Sequence, residues 1–230
     1  GGGRRASSAA YRMRVRRLLL AKLSKGSASQ RAGPRSAAPL LSAASGLSSA
    51  PLEVGPEASA DTGRVVQSAI GAMTPTQLRG AGALEGAMNS TEGMAASSAL
   101  ARSAEESDRV VTFAVKLQAE VAQKFASGMM PSEALRSFPR DHTRVDMRRR
   151  PRWDRPLPVA AADPRVKYEV RLGAAGPAAA GGVSVVSAWS KVPWGVDQFG
   201  VLGKSVTGVW ALQDPSAAID FSDPPARRSG

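Results

Sequence analysis

"SAEESDRVVTFAVKLQAEVAQKFASG", residues 103–128, has the clearest helical pattern in the chain. Ser103 and Glu106 have the spacing of a capping box, and Gly128 suits the left-handed position that often ends a helix. Apolar residues recur every three or four positions and form one side, namely Val110, Ala114, Leu117, Val121 and Phe125. We therefore expect a long amphipathic helix over about 104–127 that packs on a core or a partner, and nothing in it indicates a site.

The chain beyond this helix has the pattern of β-structure. "VKYEVRL" (166–172) alternates apolar and polar residues, and "VSVVSAW" (183–189) and "SVTGVWAL" (205–212) are two further candidate strands. "MMPSEALRSF" (129–138) predicts a short second helix. The expected fold class is α+β, in which the long helix and the short helix pack on a small antiparallel C-terminal sheet, with extensive irregular or disordered N-terminal and linker segments.

Composition divides the chain into six segments. Residues 53–99 are mostly Ala, Gly, Ser and Thr with little periodicity, apart from a short possible helix near "GRVVQSAIGAM" (63–73). Because each glycine costs a helix about 1 kcal/mol relative to alanine, this stretch is predicted to be a linker. The predicted segments are a basic targeting-like segment or RNA-binding arm (1–52), the linker (53–99), a helical segment (100–139), an Arg/Pro/Trp extended segment (140–158), a small β-rich module (159–214) and a tail (215–230).

Cysteine and histidine usage argues against common enzyme chemistry. The chain has no cysteine, which excludes disulfides, thiolate zinc sites and cysteine nucleophiles, and its one histidine is His142. "VLGKSV" (201–206) resembles the end of a phosphate-binding loop, but that loop needs a glycine where Gln198 stands. We therefore expect a protein that is not an enzyme and has no cofactor, metal or small-molecule substrate. No apolar run reaches the roughly 18–20 residues of a spanning helix, so a membrane-spanning protein is not expected.

The net charge of +12 is concentrated in two blocks. Residues 1–52 contain ten Arg or Lys and no acid, so removing them would lower the net charge to +2. Arg- and Ser-rich, acid-poor composition is typical of a mitochondrial transit peptide. Basic extensions without a core also bind nucleic acid as permanent arms. Both interpretations stay open from the sequence, and the first favours a mitochondrial location on the matrix side, in preference to a plastid.

The second basic block is "RDHTRVDMRRRPRWDR", residues 140–155, with seven arginines and three aspartates. Prolines at 139, 151 and 156 favour an extended conformation, and guanidinium forks suit phosphate oxygens. A tryptophan in the same stretch can stack on a base. The predicted RNA-binding residues are Arg140, Arg144, Arg148, Arg149, Arg150, Arg152, Trp153 and Arg155. Two alternatives are a salt-bridged loop within the chain and a segment that docks on an acidic protein surface.

These patterns favour a non-catalytic accessory subunit of an organellar ribonucleoprotein, most plausibly the mitochondrial ribosome. Its partners would be structured RNA and neighbouring protein subunits of a large complex. An alternative is a supernumerary structural subunit of a mitochondrial respiratory or ATP-synthase complex that acts through protein contacts. A third option is an enzyme without a recognisable motif.

Overall fold

A computed structural model describes residues 2–29, 33–80, 82–130, 133–140, 143–150, 157–160, 167–170, 182–189 and 206–212. Over these described residues the chain divides into two compact units, a helical unit up to Val121 and a second unit from Ala122 onward that contains the strands. Helices and an antiparallel sheet are both present, so the α+β class predicted from the sequence is confirmed.

The helices occupy most of the first 127 residues. They are α1 (Gly2–Ser29), α2 (Pro34–Ser48), α3 (Pro51–Ala72), α4 (Pro75–Leu78), α5 (Ala83–Ser97) and α6 (Ala104–Ser127), with a 3₁₀ turn at Ser98–Leu100. Three of them begin on a proline, whose fixed φ suits the first helical position and whose missing N–H is not needed there. The prediction of a helix over 104–127 is confirmed.

The start of α6 is capped by its own side chains. The Ser103 hydroxyl accepts a hydrogen bond from the Glu106 backbone N–H at 3.1 Å, as the capping-box spacing predicts. The Glu106 carboxylate in turn accepts from the backbone N–H of Arg102 at 2.7 Å. Two N–H groups that lack helical partners are thereby satisfied. The predicted apolar side of α6, from Val110 to Phe125, is buried.

Residues 51–97 form helices where the sequence predicts a linker, and their glycines explain the difference. A Cβ on Gly63 of α3 would overlap the ring of Phe113 of α6, and a Cβ on Gly86 of α5 would lie 3.2 Å from the carbonyl oxygen of Leu41 in α2. These glycines therefore allow close helix approach. Close packing of the helices compensates for low helix propensity, which is only a weak guide to structure.

The hydroxyl groups of this stretch are also part of the helical core. The side chains of Ser48, Ser59 and Ser90 are buried, and each hydroxyl donates to a carbonyl oxygen one turn earlier in its own helix. The Ser59 and Ser97 hydroxyl oxygens lie 2.5 Å apart and join α3 to α5. Because the hydroxyls are hydrogen-bonded, burying them does not carry the penalty of an unsatisfied polar group.

The N-terminal residues predicted to be irregular are helical and partly buried. Leu20 of α1 is fully buried and packs in a cluster with Val54 and Ala58 of α3, with Leu47 at its margin. Leu41 and Ala44 of α2 are fully buried as well. The described residues of 1–52 therefore belong to the helical unit, which corrects the expectation of an irregular arm without a core.

The described strands form two antiparallel sheets. The larger has the order β1-β2-β5-β6 and the smaller pairs β3 with β4. The strands are β1 (Arg136–Pro139), β2 (Thr143–Arg150), β3 (Leu157–Ala160), β4 (Lys167–Val170), β5 (Gly182–Trp189) and β6 (Val206–Leu212). The three candidate strands of the C-terminal part are thus confirmed over their described residues.

The short helix predicted over 129–138 is wrong, because its last residues form β1 instead. Phe138 pairs in register with Val145 of β2, and its ring meets the ring of Phe125 edge-on, with the centroids 5.7 Å apart. An aromatic pair of this geometry adds about 0.5–1.5 kcal/mol beyond the area that it buries. Strand pairing and this contact therefore outweigh the helix-start pattern around Pro131, a residue that lies outside the described ones.

Candidate nucleic-acid interface

Strand β2 carries four of the eight predicted RNA-binding residues. Thr143, Val145 and Met147 are buried on one face of the strand, whereas Arg144 and Arg148 are exposed on the other. Alternation of this kind is the pattern of a half-buried strand. The apolar positions fix the strand between β1 and β5, and the two exposed arginines are held on its outer face.

Arg144 shares the outer face with Asp146. The Arg144 Nε lies 3.1 Å from an Asp146 carboxylate oxygen, and the Ser137 hydroxyl of β1 donates to the same oxygen. Arg144 is about half exposed, whereas the Asp146 side chain is only 9% exposed, so solvent and salt screen this ion pair mainly from the arginine side. The contact is an intramolecular salt bridge of the kind that the aspartates of this block suggested.

Arg149 contacts the end of α6. Its Nη1 donates to the carbonyl oxygens of Met129 at 2.8 Å and Ser127 at 3.3 Å. Carbonyl groups at a helix C-terminus lack helical partners and carry partial negative charge, so a cation there is favourable. Arg149 is also half-buried. Its guanidinium is therefore engaged in holding the helix end.

The remaining predicted residues fall into two groups. Arg140 lies just after β1, where its backbone N–H donates to the Thr143 carbonyl oxygen at 2.6 Å and closes the turn to β2. Arg150 ends β2 in register with Gly182 of β5. Three predicted residues lie outside the described ones, namely Arg152, Trp153 and Arg155.

Sequence reasoning overlooked the division of β2 into two faces. The prolines around residues 140–158 favour an extended chain, but they do not predict which arginines face outward. The alternation of Val145 and Met147 with charged residues contains that information. It places Arg144 and Arg148 on one face and Arg149 on the other.

Three arginines of the N-terminal block are paired with acids of α3. Arg12 and Arg16 contact the Glu53 carboxylate at 2.7 and 3.0 Å. Arg17 contacts Glu57 at 3.2 Å and donates to the carbonyl oxygen of Val54. The hydrogen bond from Arg12, with the charges of both arginines, holds the pKa of Glu53 below its ordinary value. These three arginines therefore serve the packing of α1 on α3.

Other kinds of site are not evident in the part of the chain that the structure describes. There, no three His, Asp or Glu side chains come close enough together to hold a metal ion. The described helices include none that is both long and apolar enough to span a bilayer. Comparisons of the chain with protein-family models, with curated proteins and with solved structures find no match.

Proposed function

We propose that the protein is a non-catalytic RNA-binding subunit of an organellar ribonucleoprotein, with the mitochondrial ribosome as the leading candidate. The observation that carries the proposal is the outer face of β2, where Arg144 and Arg148 are exposed on a strand whose other face is buried. A strand held in this way fixes the backbone positions from which its cations project. Less conformational entropy is then lost when they bind.

The spacing of the two arginines suits a polyanion. Positions four apart on a strand are separated by about 13 Å, so the two guanidinium groups contact separate phosphates along an RNA strand. Each planar fork binds phosphate oxygens in a bidentate manner. Residues 140–155 as a whole contain seven arginines and three aspartates, so the strand lies in a cationic segment.

The hydrogen bonds of Arg149 support a narrower set of arginines for the proposed contact. Arg149 donates to carbonyl oxygens at the end of α6, so we leave it out of the phosphate-binding set. Arg148 and Arg149 are adjacent residues of one type on opposite faces of β2. They therefore form a matched pair of positions for separating RNA binding from fold stability.

The test compares Arg148→Gln with Arg149→Gln in the full chain, and then adds Arg144→Gln to Arg148→Gln. Binding to a labelled RNA of about 20 nucleotides, single-stranded or duplex, is measured over a series of salt concentrations. Removing two phosphate contacts is expected to reduce the log–log salt slope by about 1.4 for the single strand and about 1.8 for the duplex. Arg149→Gln is expected to leave the slope unchanged and to lower stability.

Two results would count against this proposal. An unchanged salt slope in the double variant means that β2 does not contact phosphates. A shallow slope for the parent protein, together with retention on a protein subunit after RNase treatment, favours the alternative of a structural subunit that acts through protein contacts. The organellar assignment is tested by fractionation, since the tagged chain is expected in mitochondria within an RNase-sensitive particle.

A further inference from the structure

The outward side of α1 combines exposed apolar side chains with cations. Tyr11 is 70% exposed, Leu18 55% and Leu19 45%, although Leu20 beside them is fully buried. Isolated exposed leucines are ordinary on protein surfaces. Here three large apolar side chains are exposed within about two turns of one helix. Exposing several such groups close together is unfavourable in water, and such patches often mark an interaction surface.

The cations of this side occupy the same arc of the helix. Arg14, Lys22 and Lys25 are exposed. At 3.6 residues per turn, the positions 11, 14, 18, 22 and 25 fall within an arc of about 80°, over about 21 Å of helix length. We call these residues, together with Leu19, the outward side of α1.

Helix α1 contains no acidic residue, and the nearest acids of α3 are already paired with arginines. Residues 1–52 contain no Asp or Glu. Glu53 and Glu57, the acids nearest in sequence, are paired with Arg12, Arg16 and Arg17. The outward side of α1 therefore has positive charge and apolar area together, without a carboxylate of its own helix.

We propose that the outward side of α1 binds the surface of an anionic lipid bilayer, with the helix lying in the plane of the interface. Leucine and tyrosine side chains enter the boundary between head groups and acyl chains, while Lys and Arg contact the lipid phosphates. A nucleic acid would use the cations but has no place for two exposed leucines. The inference is independent of the RNA-binding function proposed for β2 and adds peripheral membrane attachment to it.

The experiment is flotation of the full chain with vesicles. Phosphatidylcholine vesicles with about 30 mol% phosphatidylserine are compared with vesicles of phosphatidylcholine alone. The chain is expected to float with the anionic vesicles and to be released by salt. Lys22→Gln/Lys25→Gln is expected to weaken partitioning about fivefold for each cation removed. Leu18→Ala/Leu19→Ala removes six carbons, about half of whose area is exposed, and is expected to weaken it by about fiftyfold.

Matched controls separate this surface from the rest of the molecule. Leu135→Ala removes a leucine of similar exposure outside α1, and Arg148→Gln removes an exposed cation from β2. Neither is expected to alter flotation. Conversely, the α1 variants are expected to keep the RNA affinity and salt slope of the parent chain, so failure of one proposal does not imply failure of the other.

Three outcomes would overturn the membrane proposal. One is equal flotation with neutral and anionic vesicles, or none with either. Another is unchanged flotation of the two leucine substitutions in a variant whose circular dichroism matches the parent. The last is loss of RNA binding in the α1 variants without loss of vesicle binding, which would assign the cations of α1 to nucleic acid.

Discussion

Leu20→Ala is expected to destabilise the helical unit by about 3 kcal/mol. The side chain is fully buried against Val54 and Ala58 of α3. The substitution removes three carbons, each worth about 0.8 kcal/mol of transfer free energy, or roughly 2.4 kcal/mol together. The cavity left between the two helices adds to this, because the surrounding backbone relaxes only partly.

Urea denaturation followed by circular dichroism measures the effect. With a slope of about 2 kcal/mol per M, the midpoint should fall by roughly 1.5 M while the slope stays constant. Leu18→Ala is the matched control on the same helix, because its side chain is 55% exposed, and it is expected to cost about 0.5 kcal/mol.

Equal midpoints for the Leu20 and Leu18 variants would refute the packing of α1 on α3. So would an unchanged unfolding transition after deletion of residues 1–29. The result also bears on the two interpretations of the basic N-terminal block. A segment that contributes several kcal/mol to the helical unit belongs to the folded protein, whereas a presequence is dispensable for folding.

Further predictions concern a glycine contact, a buried helix end and an ion pair. Gly63→Ala places a methyl group against an aromatic ring and should destabilise by about 1–3 kcal/mol, whereas Gly71→Ala in the same helix meets open space and should stabilise by about 0.5 kcal/mol. Arg149→Gln should lower stability by about 1.5 kcal/mol through loss of charged hydrogen bonds to α6. Contact with Arg12 lowers the folded-state pKa of Glu53. The ionised carboxylate therefore stabilises the folded protein above the ordinary pKa of a glutamate, and this stabilisation is lost as the pH falls through the lowered pKa. Titrating the urea midpoint from about pH 6 to about pH 3 should therefore show a steeper decline in the parent than in Glu53→Gln.

Each of these predictions has a contradicting result. The same sign for both glycine substitutions would mean that α3 and α6 do not approach closely at Gly63. An Arg149→Gln variant with parental stability would return this arginine to the candidate phosphate contacts. Parallel pH profiles for the parent and Glu53→Gln would mean that the ion pair of α1 with α3 is not formed in solution.

Helix α6 was predictable from sequence because all its determinants are local. Its capping residues, apolar spacing and terminal glycine lie within one continuous stretch, and its observed bounds agree with the expected ones. The alternating strands β4 and β5 were predictable for the same reason. In these elements, local preference and tertiary packing favour the same structure.

The helices between residues 51 and 97 were not predictable in this way. Glycine and serine lower helix propensity, and their benefit arises only when another helix lies against them, as at Gly63 and Gly86. The stretch before β1 shows the opposite error, because the sequence predicts a helix where Phe138 forms a strand. That strand pairs with β2, which lies outside the window of residues 129–138. For the helices the stabilising contacts come from residues far away in sequence, such as Leu41 and Phe113. For β1 they come from β2, across a short turn, and from Phe125 of α6. In both places the contacting residues lie outside the window whose periodicity predicts the element.

The candidate site was predictable as a segment but not residue by residue. Charge clustering identifies the region around β2, and its seven arginines suggest a multivalent contact. The roles differ because of the sheet, which exposes Arg148 and directs Arg149 to the carbonyl oxygens of α6. Composition does not distinguish Arg148 from Arg149, whereas the strand places their side chains on opposite faces.

The strand order of the larger sheet has a consequence for the sequence of folding events. β1 and β2 meet through a short turn, but β2 and β5 pair only across a connection that contains the β3–β4 hairpin. Long loops close more slowly than short ones, and pairing with a distant strand waits for its synthesis. While the chain is still growing, the edge of β2 that pairs with β5 therefore keeps unpaired backbone groups until residues 182–189 have been added, and an unpaired strand edge can pair with another chain.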